Sequence, residues 1–336
     1  MTDKSGSFFL FLSSFLCVGI VCLCFYKVTF SPALAIESQS INEYSFSEKQ
    51  PITDVQSETS TESSDATPVV TEADAVGKAV SQFLTPYKST GYNNVYIKNK
   101  AEVPLDIAAV LSNKPSVSIT DKSDEPQVLI IHTHTTESYL AQTRDYYTEH
   151  DTTRTTDTSH NVTAAGAAFA KRLNEAGINT LHDTTVHDST YTGSYSRSAE
   201  TIKKYLETYP SIKVVVDLHR DSISAGGNDR VKPVREIDGK NAAQVMLVIG
   251  CGQNVSGFEN WQENLRFALK YQQTLEVLYP GLARAATFLN SKYNQHLSTG
   301  SILLEVGTEV NSVDEAVYGA TLAADALAKY LNTLKE

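Results

Sequence analysis

The chain has 336 residues, 41% hydrophobic and 20% charged, with a formal net charge of −11. No basic block stands out, which argues against a nucleic acid as partner. Of the four cysteines, Cys17, Cys22 and Cys24 share one apolar stretch and leave Cys251 alone; that excludes an internal disulfide and a cysteine-bound metal in the remainder, so any metal ion would need His, Asp or Glu.

In chain order, "FFLFLSSFLCVGIVCLCFY" comes first and carries no charge. It has the length of a bilayer-spanning helix and predicts a membrane anchor within residues 1–30. A cleaved signal peptide is the rival reading, with Ala33-Leu34-Ala35 as its small-residue site. If the N-terminus stays in the cytoplasm, both readings put the bulk of the chain outside it. Residues 31–74 are rich in Ser, Thr, Glu and Asp and poor in large apolar residues. Such a segment cannot bury enough surface to offset the entropy of ordering, and reads as a disordered acidic stalk. Within residues 75–120, "AVGKAVSQFL" has helical spacing and "YNNVYIKN" looks like a strand. This part reads as an N-terminal cap or a docking segment.

Residues 121–336 alternate regularly. "VLIIHTH" reads as a buried strand, and residues 160–178 as a helix closed by Gly177. "INTLH" is a second strand, "SRSAETIKKYLETYP" a helix, "IKVVVDLH" a third strand and "AAQVMLVIG" a fourth. "WQENLRFALKYQQTLEVLY" and "GLARAATFLN" read as helices, "SILLEVG" as a fifth strand and "VDEAVYGATLAADALAKYL" as a closing helix. Strands alternating with helices predict an α/β fold with a mostly parallel central sheet flanked by helices. Ligands then gather at the carboxyl ends of the strands.

Three strands end in groups that bind metal or move protons. The first ends in His132 and His134, the third in "DLHRD", and the fifth carries Glu305. His160 stands at the start of the helix after the first strand. One His or one Glu alone is more often structural. Their shared position at one sheet edge fits a zinc site with three protein ligands, an open position for water, and a carboxylate to take the proton. His132 and His134 point to the same side of an extended strand, so either could serve.

"HTHTTESY", "DLHRD", "YNQHLS" and "LLEVGTEVNS", in that order, resemble the stage II sporulation protein P family across roughly residues 125–335. More distantly the domain is similar to zinc-dependent N-acetylmuramoyl-L-alanine amidases. The resemblance implies a zinc amidase-like catalytic domain over residues 121–336. Its metal ligands would be His134, His160 and His219, with His132 as the alternate first ligand, and Glu305 would be catalytic. Aligning on "LNEAGI" brings His160 near, though not into register with, the position where the amidases carry a Glu. Glu137 would orient a ligand imidazole, and Arg220 and Asp221 would contact substrate or form a structural ion pair. The implied activity is cleavage of the amide between N-acetylmuramic acid and L-alanine in peptidoglycan, together with endopeptidase action on cross-links. The implied setting is forespore engulfment, from a single-pass membrane protein whose domain lies in the space between mother cell and forespore. Stage II sporulation proteins D and M are the implied partners. The competing readings are another zinc metallopeptidase and a wall-binding module without catalysis.

Overall fold

The computed structural model describes residues 71–336. The anchor expected in residues 1–30, and all but the last four residues of the expected stalk, lie outside the described residues. Among the described residues no helix is long and apolar enough to cross a membrane.

The strands are β1 (Ala75–Gln82), β2 (Thr90–Tyr92), β3 (Val95–Asn99), β4 (Val128–Ile131), β5 (Tyr146–Thr148), β6 (Thr180–His182), β7 (Val214–Asp221), β8 (Ser224–Gly226), β9 (Asp229–Ile237), β10 (Lys240–Ala243), β11 (Val245–Gly250), β12 (Ala286–Leu289) and β13 (Gly300–Thr308). The α-helices are α1 (Ile107–Ser112), α2 (Val162–Glu175), α3 (Ser194–Thr208), α4 (Trp261–Leu278) and α5 (Val313–Asn332). The fold is mixed α/β. Its main sheet has the order β2-β3-β12-β11-β13-β7-β4-β6. Within it β3, β12 and β11 run parallel, as do β13, β7, β4 and β6. The two blocks meet antiparallel at β11 and β13, and β2–β3 is an antiparallel hairpin. The reversal has a local origin. A parallel neighbour needs a crossover, usually a helix, but between β7 and β11 the chain makes the antiparallel pairs β8–β9 and β9–β10 instead. A second sheet has the order β10-β9-β1-β5, with β8 against β9.

Two expected helices are strands. "AVGKAVSQ" forms β1, which pairs with β5 on one side and β9 on the other. A Cβ on Gly77 would stand 2.5 Å from the Asn228 carbonyl oxygen, so the glycine is there for close backbone approach. The segment "GLARAATFLN" contains β12, hydrogen-bonded between β3 and β11. Four residues, three of them apolar, carry no periodicity that separates strand from helix, and pairing decides. Helix α2 starts at Val162 rather than His160, because Asn161 caps it by accepting from the Thr163 N–H.

The two faces of the main sheet meet different partners. Ile302, Leu304 and Val306 of β13 point into the larger core with Phe169 of α2, Leu275 of α4 and Leu327 of α5. Leu129, Ile131 and Val215 point the other way, under Ile202 of α3. Trp261, at the start of α4, stacks on Phe288 of β12 with ring centroids 5.8 Å apart. On the second face, among the described residues, no helix covers β3, β12, β11 and the ends of β13 and β7. Their alternate side chains floor a cleft of about 780 Å³.

Candidate metal centre

Strand β4 ends where the hydroxyls that follow it take over the hydrogen bonding. Thr133 donates to both oxygens of the Asp217 carboxylate, from its N–H at 2.8 Å and from its hydroxyl at 2.7 Å. Thr135 donates to the His132 carbonyl, and Thr136 donates its hydroxyl to Asp188. The Glu137 N–H then donates to the His134 carbonyl at 3.1 Å, closing a turn. That turn brings the side chains of His134 and Glu137 to the same place. On the neighbouring strands the parallel register sets Glu305 beside His219. Neighbours in register present their side chains on one sheet face, here the floor of the cleft.

Among the described residues, His134, Glu137 and His219 form a group able to hold a metal ion, with one donor atom from each within 4.8 Å of the others. Glu137 lies in the middle. Its Oε1 is 3.5 Å from His134 Nδ1 and its Oε2 is 3.4 Å from His219 Nδ1. Ligand atoms about 2.0–2.1 Å from a tetrahedral zinc stand about 3.3 Å apart, and each of these two contacts is close to that separation. The far ring nitrogens have polar neighbours too: His134 Nε2 is 3.1 Å from Ser194 Oγ, and His219 Nε2 is 2.9 Å from Asp217 Oδ1 as a charge pair rather than a directed hydrogen bond. Imidazoles that bind metal through one nitrogen are characteristically anchored through the other. Tyr191 stacks on the His134 ring at 4.9 Å, and Tyr195 meets it edge-on at 5.6 Å.

The electrostatics are those of a pre-charged site. Burial opposes the charge on Glu137, but hydrogen bonds from His134 and His219 outweigh it and hold the carboxyl far below the usual range. Burial likewise opposes protonation of His219, and the Asp217 carboxylate overrides it, raising that ring well above an ordinary histidine. Glu305 goes the opposite way. Burial pushes its carboxyl up to about 8, against the His219 charge and with help from Glu137 and Asp221. Its Oε2 is buried with no hydrogen-bond partner among the described residues.

His160 is not part of this group. Its ring stands at the surface, 2.8 Å from the Asp157 carboxylate. Its carbonyl accepts from the Tyr139 N–H, which fixes the chain beside the turn and leaves the ring outside. Glu137, expected only to orient a ligand, is the third member of the group instead. His132 is also elsewhere: fully buried, its Nδ1 donates to the Leu218 carbonyl at 2.8 Å and its Nε2 is 2.8 Å from His182 Nε2. A Cβ on Gly166 would come within 2.6 Å of that ring, so α2 packs tightly on it. Arg220 and Asp221 do not pair with each other. The Arg220 guanidinium donates to the carbonyls of Ser138 and Thr153, while Asp221 pairs with Arg284 at 2.9 Å and lines the cleft. Sequence reasoning passed over Asp217 and Ser194 as anchors. Asp217 had a readable signal, since D-x-H on a strand puts both side chains on one face; Ser194 had none.

The family model described as "Stage II sporulation protein P (SpoIIP)" matches residues 27–328. A stage II sporulation protein P of Bacillus subtilis (strain 168) is 30% identical over 214 residues, 60% of this chain and 50% of that protein, so the chain spans about half the length of this curated relative. Among solved structures, the N-acetylmuramoyl-L-alanine amidase AmiC2 of Nostoc punctiforme matches with a TM-score of 0.34 at 15% identity, over 63% of this chain and 99% of that one. The CwlD amidase of Clostridioides difficile, in complex with the GerS lipoprotein, matches with a TM-score of 0.37 at 11% identity, over 62% of this chain and 100% of that one. With the family model spanning most of its length, the chain belongs to the stage II sporulation protein P family.

Proposed function

We propose that the chain is a zinc-dependent amide hydrolase of peptidoglycan in which His134, Glu137 and His219 hold the metal and Glu305 carries the proton. The supporting observation is the convergence of two anchored imidazoles and one carboxylate over a cleft floor that presents a further carboxylate with an unpartnered oxygen. Zinc held there would polarise the amide carbonyl and ease deprotonation of a water. The remaining chemistry falls to the chain. Asp217 and Ser194 fix the two rings, Glu305 takes the proton of the attacking water, and the same carboxyl returns it to the departing amine. A carboxyl whose burial raises its proton affinity towards neutral pH suits that double task.

The bond is, on this reading, the amide between N-acetylmuramic acid and L-alanine, with peptide cross-links as a second target. Family membership supports the setting: a membrane-tethered, extracytoplasmic domain acting in engulfment beside stage II sporulation proteins D and M. The test is release of dye-labelled peptide from purified cell walls. Release that stops with a chelator and returns with zinc supports the proposal. Walls bound but never cut would make the domain a binding module, and cleavage confined to free peptides would make it a different metallopeptidase.

A further inference from the structure

The cleft has two ends of opposite character. At one end stand Glu137, Asp221 and Glu305 with the two imidazoles; at the other stand Lys88, Lys98 and Lys100. Among the described residues none of the three ammonium groups has an ion-pair or hydrogen-bond partner. The contrast is sharper for lying in a chain of net charge −11. Lys98 belongs to β3 and sits in register with Thr287 of β12, and Lys100 follows just past the end of that strand. Between the two ends the floor is Met246 and Val248 of β11, Thr287 and Leu289 of β12, and Leu303 of β13. These five side chains are mostly apolar and carry no charge; the one cation near them, Arg284, is paired with Asp221.

The distances suit a particular occupant. From β7 to β3 there are four strand-to-strand steps, about 19 Å at about 4.8 Å each. An extended peptide of about five residues spans about 17 Å. If its first residue lies at the metal group, its far end reaches the lysines. The glycan side of a muramoyl–peptide bond offers neutral sugars, whereas the peptide side ends in carboxylates. We propose that the open sheet face seats the peptide portion of the substrate, and that Lys98 and Lys100 bind its carboxylates. The residues before the first catalytic strand are then a specificity element, selecting stem peptides whose carboxylates are free. This rests on the hydrolase reading above.

The test uses the full chain with zinc and two wall fragments, one with free peptide carboxylates and one amidated. Lys98→Gln/Lys100→Gln is expected to raise KM for the free-acid fragment about tenfold, the effect of two exposed charge pairs, with kcat within twofold. It should leave the amidated fragment unaffected, and Lys98→Arg/Lys100→Arg should retain wild-type KM. Lys329→Gln, at an exposed position on α5, controls for loss of charge alone. An unchanged KM, or equal losses on both fragments, overturns the assignment. Binding of the released peptide, measured by calorimetry, separates this proposal from the hydrolase reading. Lysine-dependent binding without hydrolysis would sink the catalytic reading and keep the subsite; hydrolysis with lysine-independent binding would do the reverse.

Discussion

Glu137 has moved from a supporting role to the centre of the site, and the difference is measurable. A hydrogen-bonded turn returns it to His134, so Glu137→Ala is expected to lose most bound zinc, as are His134→Ala and His219→Ala. His160→Ala and His132→Ala should keep it, because neither ring reaches the group. Metal content after dialysis decides; zinc lost from His160→Ala and kept by Glu137→Ala would reverse the assignment. Glu305→Gln should keep its zinc and lose about 10²–10⁴ in peptide release, the usual scale for a missing general base. If it loses zinc instead, Glu305 is a ligand. The buried pair His132–His182 makes a pH prediction. Burial, and next the neighbouring ring, hold His132 down at about 3, and burial lowers His182 as well. The fold therefore favours the neutral rings. Their contribution to stability is complete above the unfolded value of about 6.5 and is lost as pH falls towards 3. Denaturant midpoints of metal-free protein should drop across that window, and the drop should be shallower in His182→Gln. At this scale the sequence brought His134, His219 and Glu305 to one sheet edge, where the fold also gathers them, since a strand end announces itself. It hid Glu137 behind His160, because a turn that doubles back has no periodicity to read.

Among the elements, α5 is tied in at both its start and its middle. Ser312 caps it, accepting from the Glu315 N–H, while the Glu315 carboxylate accepts from the Ser312 N–H at 3.1 Å. Further on, a Cβ at Gly319 would stand 2.3 Å from the Ala243 carbonyl oxygen at the end of β10. Gly319→Ala should therefore destabilise the fold by about 1–3 kcal/mol through overpacking, although alanine favours a helix. Ser312→Ala should cost about 1 kcal/mol. Denaturant titration measures both, and a stabilised Gly319→Ala would mean that α5 can shift away from the sheet. The long helices and the apolar strands β4, β7 and β13 were legible because their patterns are long or uniformly buried. β1 and β12 were not. Alanine-rich segments score as helix, and only pairing with β5, β9, β3 and β11 makes them strands.

For the molecule as a whole, the segment before residue 101 is part of the same fabric. β1 lies between two strands from later in the chain, and β3 extends the main sheet beyond β12. Ala79, Val95 and Ile97 are each at most 1% exposed. Burying side chains of this kind contributes about 1.5–3 kcal/mol each for the larger ones. A chain starting at residue 101 should therefore unfold at a temperature more than about 10 °C below one starting at residue 71. Equal melting temperatures would show that the segment is dispensable to the fold. Composition set the polar residues 31–74 apart from the sequence that follows. It could not reveal that the sheet reverses direction at β11, because that follows from hairpins replacing a crossover helix.

Trp261 is the one tryptophan in the chain, and it stacks on Phe288 directly behind the strand whose Thr287 faces the cleft. The molecule thus carries its own optical reporter. Indole emission comes from a single known position, and it reads the strand that joins the lysine-bearing edge to the rest of the sheet. Peeling away of β12 would register as a spectral shift without any dye, so early loosening of that border could be followed separately from collapse of the whole.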